Sequence, residues 1–186
     1  MKRIIMLLFV VMSLGITANA QEGVKFEELT FKEALAKAKA ENKLVFMDCY
    51  TSWCAPCKRM LNTVFVTKEA GDFFNPRFVS VKYDMEKGEG IELAKQFSVK
   101  SFPTFFIFRP DGSIQHKIGG AGSLKSFIAW VERGLNEETS LDYLNKQYDK
   151  GAITKDQLLT YYWVLICAGE QAKANKILEE LKTEFP

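Results

Sequence analysis

Histidine is almost absent from this sequence, because His116 is the only one among 186 residues. A structural zinc site needs four ligands, usually two cysteine pairs or cysteines combined with histidines, and the chain has a single Cys-x-x-Cys pair, Cys54 and Cys57. A c-type haem needs a histidine directly after such a pair, where Lys58 stands. The sequence therefore disfavours zinc, excludes c-type haem and predicts no metal and no bound organic cofactor. We expect His116 to be a polar surface residue.

Charge of either sign is not in excess. The chain has 25 basic and 23 acidic residues. Residues 1–20 contain two basic residues and no acidic one, so the remainder is balanced at 23 of each. This neutral balance argues against nucleic acid or an anionic membrane as the main partner. Because 47% of the residues are hydrophobic, the length suits one domain with a real core and an appendage.

A hydrophobic run long enough to span a membrane is missing from the start of the chain. The apolar run from Ile4 to Ile16 is shorter than the roughly 20 residues that a spanning helix needs. It follows two basic residues and precedes Ala18-Asn19-Ala20, which is the layout of a secretory signal peptide. We predict a bacterial signal peptide at residues 1–20 and export across the inner membrane to the periplasm. An uncleaved membrane anchor is the alternative.

Hydrophobic spacing, helix caps and turn residues predict an α/β fold for residues 21–135. The order helix, strand, helix, strand, helix requires a right-handed β-α-β unit with two parallel strands. The last two strands are joined by a tight turn as a hairpin, so the central sheet is mixed and has helices on both faces. The predicted helices span residues 30–43, 55–65, 67–74, 89–98 and 123–134, and the predicted strands span residues 43–50, 77–84, 104–109 and 113–120.

The sequence pattern of residues 136–186 predicts a helical C-terminal extension. Three stretches of this segment have helical spacing of apolar residues. Gly151 and Gly169 are suited to end helices, and Thr154 with Gln157 forms a capping box that begins one.

Cys54 and Cys57 lie at the start of a predicted helix, and two intervening residues allow their sulfurs to meet without backbone movement. The unpaired N–H groups and the dipole at a helix start favour a thiolate at the first position. Because the thiolate is the nucleophile, Cys54 should attack a substrate disulfide. Cys57 should then resolve the mixed disulfide.

Another interpretation comes from the third nearby cysteine. Cys49, Cys54 and Cys57 have the C-x4-C-x2-C spacing of plant-type 2Fe–2S ferredoxins. A cluster needs its ligands on one flexible loop, whereas Cys49 lies in a predicted strand and Cys57 in a predicted helix, which disfavours the cluster. We expect Cys49 to be a buried free thiol, with a redox partnership with the active pair as the alternative. Cys167 should also lie in a core.

The segment Trp53-Cys54-Ala55-Pro56-Cys57-Lys58 strongly resembles the active site of the thioredoxin superfamily. Further matches occur in the same chain order and on the corresponding predicted elements, and the resemblance covers roughly residues 26–135. It implies a thioredoxin-like mixed sheet and a thiol–disulfide oxidoreductase with a redox-active Cys54–Cys57 disulfide. The further matches are Asp48 before the motif, Lys82 on the next strand, Phe102-Pro103-Thr104 entering the third strand, and Gly119-Gly120 after the last.

The resemblance also implies a role for each matched residue. Asp48 would accept the proton of Cys57, unless it is only hydrogen-bonded at a strand end. Lys82 would pair with Asp48, unless it is an ordinary exposed lysine. Pro103, with its neighbours Phe102 and Thr104, would be a cis-proline that presents backbone groups to the substrate. Trp53 would shield the dithiol and contact the substrate, with a plain core aromatic as the alternative.

The residues between the two cysteines depart from the best-known members of the superfamily. Ala55 and Pro56 replace a Gly-Pro pair, and the histidine of the strongly oxidising branches is missing. This favours reduction or exchange of disulfides in protein substrates, with a membrane or soluble thiol as electron donor and no nucleic acid. The alternative is a redox-sensing or partner-binding module that uses the helical extension. The sequence gives no signal for an oligomeric state.

Overall fold

The structure is a computed structural model that describes residues 22–184. The predicted signal peptide at residues 1–20 lies outside the described residues. The strands are β1 (Leu44–Tyr50), β2 (Phe78–Asp84), β3 (Thr104–Phe108) and β4 (Ile114–Gly119). The α-helices are α1 (Phe31–Glu41), α2 (Ala55–Arg59), α3 (Lys68–Phe74), α4 (Glu89–Gln96), α5 (Leu124–Leu135), α6 (Leu141–Asp149), α7 (Lys155–Cys167) and α8 (Gln171–Glu184).

The strands form one mixed sheet in the order β2-β1-β3-β4. β1 and β2 are parallel, whereas β3 is antiparallel to both β1 and β4. This is the predicted β-α-β unit followed by a hairpin, so the predicted fold class is confirmed. The carboxyl end of β1, the amino end of β3 and the carboxyl end of β4 meet at one edge, since Cys49 pairs with Thr104 and Thr104 with Gly119.

Side chains alternate between the two faces of the sheet and build a core on each. Phenylalanine dominates the face covered by α3 and α5, where Phe46, Phe105 and Phe127 pack with ring centroids 4.7–6.2 Å apart. The opposite face buries Cys49 together with α1 and α4. The capping box of Thr30 with Glu33, which begins α1, is present.

The helix predicted for residues 55–65 changes its winding halfway. A regular α-helix ends at Arg59, and Met60–Val64 form one π-helical turn, in which the Phe65 N–H donates to the Met60 carbonyl. The wider turn includes one extra residue. Val64 and Phe65 consequently both reach the core, where each is at most 5% exposed.

The C-terminal extension covers the outer edge of β4 and has a core of its own. The Leu141 N–H at the start of α6 donates to His116 Nδ1 at 3.1 Å. Gln115 Nε2 donates to the Gly134 carbonyl at 2.7 Å, and Lys117 pairs with Glu170 at 2.6 Å. The contacts of His116 and Lys117 attach the extension to β4, whereas the contact of Gln115 attaches the end of α5 to the same strand.

Two predictions for this region were wrong. His116 is buried rather than exposed, because the extension and α5 cover the edge strand on which it lies. That burial lowers the pKa of His116 to about 4. Cys167 is half-buried rather than in the core, since the residues of α7 that point inward are Leu158, Tyr161, Val164 and Leu165.

The glycines at the ends of α6 and α7 behave as the sequence predicted. Gly151 and Gly169 have φ angles of 64° and 73°, which glycine adopts without a steric penalty. The capping box of Thr154 with Gln157 begins α7. Within residues 22–184, no helix is both long and hydrophobic enough to cross a membrane.

We expect Gly134→Ala to destabilise the protein. A methyl group there would lie 2.6 Å from Cγ of His116, and such overpacking costs about 1–3 kcal/mol. Urea denaturation should show this loss, and it should shrink in the His116→Gly background, where both the imidazole ring and the Cβ that would lie 2.7 Å from the methyl group are absent. Helix propensity alone predicts the opposite sign, a gain of about 1 kcal/mol, and that result would refute the contact.

Candidate active site

Cys54 and Cys57 form a disulfide at the amino end of α2. Cys54 is the N-cap residue, and its Sγ accepts the backbone N–H of Cys57 at 3.1 Å. Pro56 occupies the first turn, where its missing N–H removes no helical hydrogen bond. The two cysteines are 3% and 1% exposed, so both are almost entirely shielded from solvent when they form the disulfide.

Asp48 lies on β1, six residues before Cys54, and is only 1% exposed. Because side chains alternate along β1, its side chain shares the face of Phe46 and is opposite to Cys49. Within the described residues, Oδ1 of Asp48 has no hydrogen-bond partner, so the interpretation of an acid satisfied at a strand end does not hold for this oxygen. Burial raises the pKa of Asp48 to about 7, against an opposing effect of the Lys82 charge.

Lys82 is the register partner of Asp48 on β2, but the expected ion pair between them is not formed. The ammonium of Lys82 instead lies 3.8 Å from Oε1 of Glu28, an exposed residue. A lysine at a sheet edge can keep its stem on the protein and its charge in water. Lys82 therefore acts on Asp48 only through space, by lowering the pKa that burial raises.

Trp53 is 64% exposed, so it is not a core aromatic. Its ring packs edge-on against Phe102, with the ring centroids 5.9 Å apart. Its Nε1 donates to the Glu86 carboxylate at 3.0 Å. Glu86 was not predicted as a site residue, because it follows β2 and meets the motif only through the tertiary fold. The indole ring of Trp53 is an apolar surface next to the disulfide, and it is held in place by its contact with Phe102 and its hydrogen bond to Glu86.

The loop of residues 98–103, here called the proline loop, enters β3 beside the motif. The Phe102–Pro103 peptide bond is cis, as predicted. The Pro103 carbonyl accepts the Gly120 N–H at 2.9 Å, which links this loop to the glycine pair after β4. Thr104 is buried, and its hydroxyl donates to the Ser101 carbonyl at 2.8 Å, so this hydroxyl holds the loop in place.

The remaining chemically reactive residues lie apart from the disulfide. Cys49 is a buried free thiol on the opposite face of β1, and burial raises its pKa well above the usual value. Three cysteines therefore do not converge as an iron–sulfur cluster would require. Among residues 22–184, no three histidine, cysteine, aspartate or glutamate side chains are grouped as metal ligands. His116 is engaged with α6.

Known proteins are similar to this chain over the same region. The sequence profile of a family described as "Thioredoxin-like domain" matches residues 31–135. Thioredoxin-1 of Drosophila melanogaster is 35% identical over 86 residues, which are 42% of this chain and 76% of that protein. DsbD, a thiol:disulfide interchange protein of Vibrio cholerae, is 30% identical over 102 residues, which are 52% of this chain and 17% of that protein.

A solved structure gives the same result for the fold. The solution structure of a candidate disulphide isomerase from Bacteroides thetaiotaomicron is 42% identical and has a TM-score of 0.57. The match covers 62% of this chain and 95% of that one. The chain therefore belongs to the thioredoxin-like family, and its Cys54–Cys57 disulfide indicates a thiol–disulfide oxidoreductase.

Proposed function

We propose that this protein transfers electrons to disulfides of exported proteins, in reduction or exchange. The observation that carries the proposal is the disulfide at the amino end of α2, where Cys54 Sγ accepts the Cys57 N–H. A buried acid, Asp48, lies on β1, the strand that leads into the motif. The same N–H favours a thiolate on Cys54 in the reduced protein. Cys54 is thus the attacking residue and Cys57 the resolving one.

The reductive cycle balances two electrons and two protons. The Cys54 thiolate attacks one sulfur of the substrate disulfide, forms a mixed disulfide and releases the other substrate sulfur as a thiolate, which takes up a proton. Cys57 then loses its proton and attacks Cys54 Sγ, which releases the second substrate thiol and forms the Cys54–Cys57 disulfide. A dithiol electron donor, membrane-bound or soluble, returns two electrons to the protein.

Asp48 is the proton acceptor in this proposal. An acid whose pKa is about 7 holds and releases a proton at the pH where exchange takes place. Its Oδ1 is an acceptor without a partner in the described residues, and in this proposal it takes the proton of Cys57, directly or through water. Lys82 tunes this acid through space.

The direction of exchange is inferred from what surrounds the disulfide. Ala55 and Pro56 separate the cysteines, and the one histidine of the chain is held between β4 and α6. A histidine near Cys54 would stabilise its thiolate and make the pair more oxidising. Its place elsewhere in the fold favours a reductant or a moderate exchanger.

The substrate-facing surface consists of Trp53 and Phe102 with the backbone of the proline loop. The edge-on contact of the two rings supplies an apolar face at the disulfide. Glu86 fixes the indole through its Nε1, so little conformational freedom is lost when a substrate binds. The location in the periplasm rests on the signal-peptide pattern of residues 1–20.

We expect Cys54→Ser to reduce the rate of insulin-disulfide reduction to that of the electron donor alone, since no thiolate can start the exchange. Cys57→Ser should accumulate a mixed disulfide with the substrate, visible on a non-reducing gel, because the resolving thiol is missing. Cys167→Ser is the matched control and should keep full activity. No turnover by the wild type above that of the electron donor alone, with any donor, would contradict the enzyme and favour the redox-sensing or partner-binding module.

Asp48→Asn should slow the reduction of insulin on the order of 100-fold, the usual contribution of a general base. The pH profile gives a sharper test. A carboxyl group with a pKa of about 7 acts as a base only when ionised, so the wild-type rate should rise as the pH rises through 7. The rate of the Asp48→Asn variant should show no such rise as the pH passes through 7. An unchanged profile in Asp48→Asn would assign the rise to another group.

We expect the reduction potential, measured by equilibration with reduced and oxidised glutathione, to be lower than about −180 mV, the value typical of a moderate exchanger. The reason is the absence of a histidine beside Cys54. Ala55→His at the position between the cysteines should raise the potential. A wild-type value near −120 mV, typical of a strong oxidant, would reverse the proposed direction.

A further inference from the structure

An open groove of about 640 Å³ lies between the proline loop and the C-terminal extension, and we call it the extension groove. Lys100 and Ser101 line one side, Thr104 and Lys117 lie at its base, and Asn145 and Ala172 line the other side. Its volume is in the range of pockets that bind molecules the size of a few amino acids. The extension therefore encloses a space that residues 31–135 leave open.

The groove begins at the proposed substrate surface. Ser101 and Thr104, which both line it, are the residues on either side of Phe102-Pro103. Consider a polypeptide that lies along the proline loop while its cysteine reacts with Cys54. The residues next to that cysteine in the polypeptide would then enter the groove. The two surfaces are continuous along the chain.

Backbone groups at the mouth of the groove are available for pairing. Among the described residues, the N–H groups of Lys100, Ser101 and Phe102 have no hydrogen-bond partner. Lys100 and Ser101 are exposed, so these donors are free to bond to a ligand. An extended polypeptide supplies carbonyl groups at the spacing that such a loop can bond, which a compact small molecule does not.

The charges lining the groove leave one cation without a partner. Glu170 is paired with Lys117 at 2.6 Å, and Asp142 is paired with Arg109 at 3.0 Å. Lys100, at the mouth, forms no ion pair with any residue from 22 to 184. The groove thus favours an occupant that has a negative charge near this lysine.

We propose that the extension groove binds the polypeptide segment next to the reacting cysteine of the substrate, in an extended conformation, with an acidic side chain at Lys100. This inference rests on the proposed function and adds a substrate class to it. The enzyme acts on flexible segments of protein chains in preference to small disulfides, and the extension supplies the selectivity.

Binding can be measured separately from turnover. The probe is a fluorescein-labelled 16-residue peptide with a central serine in place of cysteine and with leucine and aspartate on both sides. It is titrated against the oxidised full chain and followed by fluorescence anisotropy. We expect the peptide to bind at least tenfold more tightly than its central four residues alone. Ala172→Trp, which fills the groove from an exposed position on α8, should remove this difference.

The matched control is Glu179→Trp, an exposed position two turns further along α8 and outside the groove, which should bind the peptide like wild type. Lys100→Glu is a second variant. It should weaken binding of the aspartate peptide and strengthen binding of a peptide with lysine in place of aspartate. Circular dichroism checks that each variant is folded. Equal peptide affinity of wild type and both groove variants would overturn the proposal.

Turnover of cysteine-containing peptides then separates this proposal from the proposed function. In the wild type, kcat/KM should be higher for the long disulfide peptide than for the short one. Ala172→Trp should lower this preference for the long peptide by about tenfold. Turnover without any dependence on peptide length would overturn the groove alone. Tight peptide binding without turnover of any disulfide would overturn the proposed function and support the groove. If Ala172→Trp dissociates a dimer and leaves peptide affinity unchanged, the occupant is a second copy and the proposal is wrong.

Discussion

The pairing of β1 with its two neighbours is the interaction on which the site depends. β1 leads directly into the motif, and its parallel register with β2 places Lys82 opposite Asp48. Its antiparallel register with β3 places Thr104, and therefore the proline loop, beside the same end. A slip of one residue would turn Asp48 from the face of Phe46 to the face of Cys49. The position of Asp48 relative to the motif and the proline loop therefore depends on the register of these strands.

Burial of an acid on this strand has an energetic consequence. An ionised carboxylate without a partner is unfavourable in a protein interior, so folded Asp48 keeps its proton until about pH 7. An unfolded chain releases it near the ordinary value of 3.8. The folded protein therefore binds more protons between these values, and stability declines as the pH rises through this window. The same desolvation that lowers stability is what makes Asp48 a base near neutral pH.

The extension changes the surroundings of the thioredoxin-like region without adding a residue to the disulfide. It covers the edge of β4, which would otherwise expose unpaired backbone groups to other chains. It does so with contacts to His116 and Lys117. The same placement brings α8 opposite the proline loop. The packing of the extension against β4 therefore both covers the strand edge and forms the groove.

The sequence by itself determined the fold class, the helix starts and the identity of the reactive pair, because these depend on local signals. Caps, apolar periodicity and a two-residue spacing act within one or two turns of chain. Only the tertiary structure decided the partners of Lys82, Trp53 and His116, since each partner lies on a segment distant in sequence. Local patterns predict which residues are polar or apolar, but whether a polar residue is buried depends on which segment packs over it. His116 is buried because the extension returns to the edge of β4, and no spacing within β4 shows this.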